Sequence, residues 1–219
     1  MPFLPRPAWF PKKDWRRRAN ELLRKYADIV SLKDCVDYLP KEEDVILNIV
    51  TPLRRYSPDE FRTWTTDHRQ EQIDKHKTIL GFGHRKLIIV CHYTEQIDEL
   101  KEKLEDNRPT FILDGRTKDQ AEVIKEAQAE EDCFLIVQAS MGEGFDGYMF
   151  DAIVFASMPH TVRFHTQMRG RLTTLDPAHI KPKIFYYLLG GKWDKKIFKA
   201  IMAGEDWNPY KSGEITKKK

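Results

Sequence analysis

From Arg85 onward the chain alternates short, uniformly apolar runs with longer amphipathic ones, and few folds accept that pattern. "KLIIVCHY" is followed by "TEQIDELKEKLED", "TFILDG" by "TKDQAEVIKEAQAEED", and "CFLIVQA" by a glycine-rich loop. "DAIVFAS" is then followed by "TVRFHTQMRG", and "KIFYYLLGG" by "KWDKKIFKAIMAG". A strand apolar on both faces must be covered on both faces, so such strands alternating with helices imply a parallel sheet between helical layers. Five such strands make a doubly wound α/β domain, with ligands expected at the carboxyl ends of the strands.

Upstream, residues 1–12 hold four prolines and read as an irregular leader. "KKDWRRRANELLRKYADIV" spaces Trp15, Ala19, Leu22, Leu23 and Tyr26 as a helix does. "DVILNIVTPLRRY" has the look of a strand ended by Pro52, and the stretch from Ser57 to Leu80 that of a helix capped by Ser57. The expected organisation is a leader over 1–12, a helical and extended lead-in over 13–82, the α/β domain over 83–205, and a basic tail over 206–219.

Hydrophobic residues make up 41% and charged residues 32% of the 219. No apolar run approaches the roughly 18 residues a membrane span needs, and the proline-broken start lacks an apolar signal core. Cys35, Cys91 and Cys133 show no CxxC pair, so buried thiols in a reducing cytoplasm are expected. His92, His160 and His165 have no ligand spacing, and no metal site is expected. Net charge is only +3 but unevenly spread. Residues 12–25 hold seven Lys/Arg against two acids, residues 95–132 thirteen acids against six bases, and residues 160–219 thirteen Lys/Arg against five acids. Basic ends around an acidic middle suit a polyanion bound on one side; solvated helix faces would give the same tally.

The stretch from Met141 to Asp176 concentrates the chemistry. Gly142, Gly144 and Gly147 allow positive φ and close backbone approach to a phosphate or sugar. Asp146, flanked by a glycine, can accept from a ribose hydroxyl or hold an arginine. Arg169 and Arg171 carry the donor fork that suits phosphate oxygens. Both clusters are expected at strand carboxyl ends.

At these residues the chain resembles the second RecA-like lobe of superfamily 2 helicases and translocases, closest to the Swi/Snf-type branch and its phage-encoded relatives. "ASMGEGFD" is similar to motif V and "QMRGR" to motif VI, whose pattern is Q-x-x-G-R-x-x-R. "KLIIVCHYTEQIDELKEKL" resembles motif IV with its helix, and the likeness runs over roughly residues 27–205. It implies a RecA-like doubly wound sheet with a helical N-terminal extension. By the same resemblance Gly142, Glu143, Gly144 and Asp146 would meet the nucleotide, and Gln167 and Arg171 would face the ATP phosphates. His92, Tyr93, Arg116, Lys118 and Ser140 would lie along the nucleic-acid track, taken as DNA with RNA left open. An arginine there would neutralise charge developing in phosphoryl transfer.

The pattern also departs from the family. There is no G-x-x-x-x-G-K-[ST] and no Asp-Glu box after an apolar strand, so ATP and Mg²⁺ are expected only in complex with a first RecA-like lobe, in cis or in trans. The last arginine of motif VI falls on Thr174, and Arg169 is the expected stand-in. The chain alone is expected not to hydrolyse ATP. The alternative is a nucleic-acid-binding module that kept the fold and lost the chemistry. A Rossmann-like cofactor enzyme is a weaker third reading, since no GxGxxG follows the first regular strand.

Overall fold

The computed structural model describes residues 41–49, 69–141, 145–173 and 181–208. The five expected strands form over Lys86–Cys91 (β2), Thr110–Leu113 (β3), Cys133–Gln138 (β4), Ala152–Phe155 (β5) and Lys183–Leu189 (β6). A sixth, Glu42–Asn48 (β1), comes from the lead-in and pairs in parallel along the whole of β6. The described helices are Arg69–Leu80 (α1), Thr94–Leu104 (α2), Gln120–Ala129 (α3), Val162–Gly170 (α4) and Lys192–Met202 (α5). The expected helix over residues 12–30, the Ser57 cap and Cys35 lie outside the described residues.

All strand pairs are parallel, in the order β1-β6-β5-β2-β4-β3. β2 is central and buried along its whole length, as its unbroken apolar run requires. Alternate residues feed two cores. Ile88, Val90, Leu135, Val137, Ile153 and Phe155 point to the layer holding Ala127 of α3, Met168 of α4 and Ile197 of α5. Leu87, Ile89, Phe134, Ile136 and Val154 point to the layer of Ile79 from α1 and Ile97, Leu100 and Leu104 from α2. Each such side chain contributes about 1.5–3 kcal/mol by leaving water. Cys91 and Cys133 are buried free thiols.

Helix starts are fixed by local chemistry. Asp119 caps α3 by accepting from Glu122 N, and Thr161 caps α4 by accepting from Phe164 N. Asp206 Oδ1 adds a second acceptor at that end, taking Val162 N at 2.8 Å. α2 and α5 have no side-chain cap bond.

The connection between β4 and β5 positions the candidate site. Parallel strands need a crossover, usually a helix. Here there is one short 3-10 turn, Ala139–Met141, and residues 145–151 form neither helix nor strand before the sheet resumes at Ala152. Phe145 and Phe150 anchor it in the core, at 5% and 0% exposure.

Candidate nucleotide and nucleic-acid site

The carboxyl edge of the sheet gathers the ends of β5, β2, β4 and β3. His92 and Tyr93 leave β2 there. The His92 ring stacks on His160, which follows β5, at 4.0 Å between centroids, and meets the Tyr93 ring edge-on at 4.9 Å. His92 N donates to Ser157 Oγ at 2.7 Å, and Ser157 in turn bonds Gln96 Oε1 at 2.8 Å, so the turn into α2 is fixed. Burial holds the His92 imidazole below its ordinary range. Burial, and then the neighbouring His92, pushes His160 down to about 3. The Tyr93 phenol is pushed up to about 12 by burial and Asp194, with Lys75 opposing. All three rings are therefore neutral near pH 7. They present aromatic surface and the uncapped start of α2, where backbone N–H groups favour an anion.

Farther along this edge, Gly115 N donates to Gln138 Oε1 at 3.3 Å, joining the ends of β3 and β4, and Ser140 is exposed. Lys118 is also exposed. Arg116 is half-exposed but engaged: it forks onto Asp98 at 2.6 and 3.0 Å and reaches Asp114 Oδ2 at 2.6 and 2.9 Å. Hydrogen bonding from Arg116 is what chiefly holds the Asp98 carboxyl below its usual range. Any phosphate contact from Arg116 has to compete with two carboxylates.

The motif VI residues lie at the other edge. The expectation that both glycine-acid and arginine clusters sit at strand carboxyl ends is corrected by the direction of α4. That helix starts beyond the carboxyl end of β5 and runs back, so its last turn meets the beginnings of β1 and β6. Its length of nine residues is about 14 Å. The segment 139–151 makes the same journey, from Ser140 at the carboxyl edge to Asp151 at the amino end of β5.

The two segments meet near the arginine. Arg171 Nη1 donates to Phe145 O at 2.7 Å and its Nε to Gln167 O at 3.2 Å. Gly147 N donates back to Arg171 O at 3.0 Å. Gln128 Nε2 of α3 holds Asp146 O at 2.6 Å, leaving Asp146 exposed beside the arginine turn. It is thus the Phe145 carbonyl that holds the arginine here. Gly147 is needed for packing, not for positive φ, which among the described residues only Gly204 adopts. A Cβ on Gly147 would stand 2.8 Å from Ile88 Cδ1 and 3.1 Å from Arg171 O. Gly142, Glu143, Gly144 and Thr174 lie outside the described residues.

Arg169 is not beside Arg171. Two residues along a helix is about 200° of rotation, so the two guanidinium groups diverge. Arg169 lies over the Phe185 ring at 4.0 Å, donates to Tyr187 Oη at 2.6 Å, and pairs with Glu42 at 2.8 Å and with Asp44. Glu42 also takes Lys183 Nζ at 3.2 Å, and Lys183 reaches Thr173 Oγ1 at 3.0 Å. Sequence reasoning missed this network because "KEED" reads as a solvated charge run. It also missed Lys75 of α1, 2% exposed, which donates to Ala156 O at 2.8 Å and Asp194 at 2.7 Å. Among the described residues no group of three His, Cys, Asp or Glu is placed to hold a metal ion, and no helix is long and apolar enough to cross a membrane.

A six-stranded parallel sheet flanked by helices, with the 145–151 segment passing an arginine turn, defines a RecA-like α/β lobe. The family model of the helicase conserved C-terminal domain matches residues 69–173, just under half of the chain. Three solved structures share the fold. The C-terminal part of the Fun30 ATPase domain aligns with TM-score 0.54 and 16% identity, over 72% of this chain and 53% of that one. The C-terminal domain of the DEAD-box protein Dbp5 aligns with TM-score 0.55 and 14% identity, over 82% and 88%. The E. coli DEAD-box protein SrmB, bound to regulator of ribonuclease activity A, aligns with TM-score 0.53 and 12% identity, over 78% and 89%. At these identities the likeness is one of fold, and the chain spans about half of the Fun30 fragment. No curated protein sequence matches the chain.

Proposed function

We propose that the chain is the nucleic-acid-gripping and arginine-supplying lobe of a superfamily 2 helicase or translocase, of the Swi/Snf-type or a phage-encoded relative, working in the cytoplasm. The observation that carries this is the hold of Phe145 and Gly147 on Arg171 near the amino edge, a few residues along the chain from Ser140, which is exposed at the carboxyl edge. Nucleic acid would lie along His92, Tyr93, Ser140 and Lys118, with phosphates toward the start of α2, and Arg116 free to join once it leaves Asp98. Gly142, Glu143, Gly144 and Asp146 would meet a nucleotide whose phosphates face Gln167 and Arg171. ATP and Mg²⁺ are held in this reading by a first RecA-like lobe, and the part played by this chain is charge placed where phosphoryl transfer develops it. DNA is the proposed track; the DEAD-box neighbours make RNA the comparison to run beside it.

A second reading, a binding module without catalysis, is favoured by one specific observation. Thr174 stands at the motif's last arginine, and Arg169, the expected stand-in, is engaged by Glu42 and Asp44.

Phosphate release and fluorescence anisotropy test the proposal together. The chain alone should hydrolyse no ATP with excess DNA or RNA. It should bind a single strand with a log affinity that falls linearly with log salt. Turnover by the chain alone, stimulated by nucleic acid and abolished by Arg171→Ala, would refute the half-site reading. Absence of binding at low salt would count against both readings.

A further inference from the structure

We propose that Glu42 of β1 is a positioning residue for the arginine turn, Gly170–Thr173, holding it to the sheet through two cations. Glu42 Oε2 accepts from Arg169 Nη2 at 2.8 Å, and its Oε1 accepts from Lys183 Nζ at 3.2 Å. Lys183 is 5% exposed and passes the connection on to Thr173 Oγ1 at 3.0 Å. The bridge therefore grips the turn on both sides of Arg171: at Arg169, two residues before it, and at Thr173, two residues after.

Beside this bracket the turn is anchored by Leu172, 7% exposed in the core, and by few backbone bonds. Within it, Arg171 N bonds Met168 O and Thr173 N bonds Gly170 O, both at 3.0 Å, which are the bonds of a fraying helix end. Gly170 adds no side chain to pack. On the opposite side the turn is held by Gly147 and Phe145. Arg171 is thus set between the 145–147 segment and the β1 bracket, and strand β1 becomes part of what aims it. The functional consequence rests on the nucleotide-facing reading of Arg171; the positioning itself does not.

The groups around Glu42 are Asp44 on β1, Arg169 and His165 on α4, and Lys183 and Tyr187 on β6. Burial raises the Glu42 carboxyl, but hydrogen bonds from Arg169 and Lys183 outweigh it and leave it below the ordinary value. Acid should loosen the bracket as Glu42 takes up its proton.

The test uses the full chain without nucleotide, so its outcome is separate from that of the Arg171→Ala turnover experiment. Amide hydrogen exchange and the Arg171 Nε–H resonance are followed in wild type, Glu42→Gln and Glu42→Asp. In Glu42→Gln, protection at Arg171–Thr173 should fall roughly five- to thirty-fold, the factor of a 1–2 kcal/mol local loss. The Arg171 Nε–H signal should shift or broaden, and Glu42→Asp should restore part of both. The wild type should lose local protection in acid through a step that Glu42→Gln lacks. Unchanged protection and resonance in Glu42→Gln would overturn the proposal, as would a loss spread evenly over the sheet. Should Glu42→Gln fail to fold, Lys183→Met opens the same bridge from β6 and is read by the same criteria.

Discussion

Arg171 and Gly147 hold each other: Gly147 N donates to Arg171 O at 3.0 Å, and any Cβ on Gly147 would press within 3.2 Å of Arg171 Cβ. Gly147→Ala should therefore destabilise the lobe by about 1–3 kcal/mol, the usual cost of overpacking. Ile88→Val removes the Cδ1 that stands 2.8 Å away and should recover part of that loss. Urea unfolding of the two single variants and the double variant checks this. Strict additivity would mean that the clash is not where the geometry places it.

Tyr187→Phe isolates the buried hydroxyl that joins Arg169 to His165, at 2.6 and 3.0 Å. Loss of that oxygen should cost about 1–3 kcal/mol, since both partners remain in a buried site. Stacking of the ring on Phe155, 4.9 Å between centroids, is untouched. The midpoint of chemical unfolding should drop with no change in its slope.

The buried Lys75–Asp194 pair ties α1 to the start of α5. Removing only the carboxylate strands an ammonium in the core. Asp194→Ala should therefore cost about 3–5 kcal/mol. Lys75→Met, which replaces the cation with an apolar chain of similar length, should cost less. Equal losses in thermal unfolding would argue that the pair is solvated and energetically minor.

Acid should weaken the fold through His165. Burial, then the Arg169 charge, lowers its imidazole from the ordinary 6.5 to about 4, against a smaller pull from Asp44. A histidine depressed in the native state binds fewer protons folded than unfolded. Its contribution is complete above pH 6.5 and declines as pH falls toward 4. Between pH 7.5 and 5 the loss should be on the order of 1–2 kcal/mol. In His165→Gln this slope should flatten, as urea titrations at the two pH values would show.

Thr174→Arg separates the two functional readings. In a complex with a matching first lobe, an arginine finger contributes about three to five orders of magnitude to turnover. A competent but slow enzyme should gain well over tenfold in kcat from Thr174→Arg. Arg169→Ala should act chiefly on stability, because its partners are Glu42, Asp44 and Tyr187. Phosphate release from a folded, nucleic-acid-bound complex that stays at zero in every form would favour the binding module.

The strands were legible from residues alone, because a run such as Lys86–Cys91 has no polar face and can only be a buried strand here. Asp146 and Arg171, read as parts of two separate motifs, come near each other through Phe145 and Gly147, while Ser140 lies at the opposite edge. Three features were not legible. The path of α4 sets Arg171 at the amino edge, which depends on element direction and not on spacing. The diverging faces of Arg169 and Arg171 follow from helical rotation once the helix is known to include both. The partnership of Glu42 with Arg169 and Lys183 spans most of the chain, and no local pattern encodes it. Gly147 was read as allowing positive φ and approach to a phosphate or sugar, whereas its smallness is demanded by Ile88 of β2.

Glu42 and Lys183 are separated by 141 positions, and that distance bears on how the lobe is made. Closing so long a loop is entropically slow relative to the nearer pairing of β2 with β4, so β1 should be among the last elements to zip onto the sheet. During synthesis β1 emerges before the other described strands and its partner β6 after them, so its hydrogen-bonding edge waits for that partner in between. An exposed strand with Val45, Ile46 and Leu47 in a row invites pairing with other chains. Glu42, Glu43 and Asp44 precede that trio and repel like neighbours during the wait. The acids that later bracket the arginine turn thus first serve as gatekeepers against aggregation.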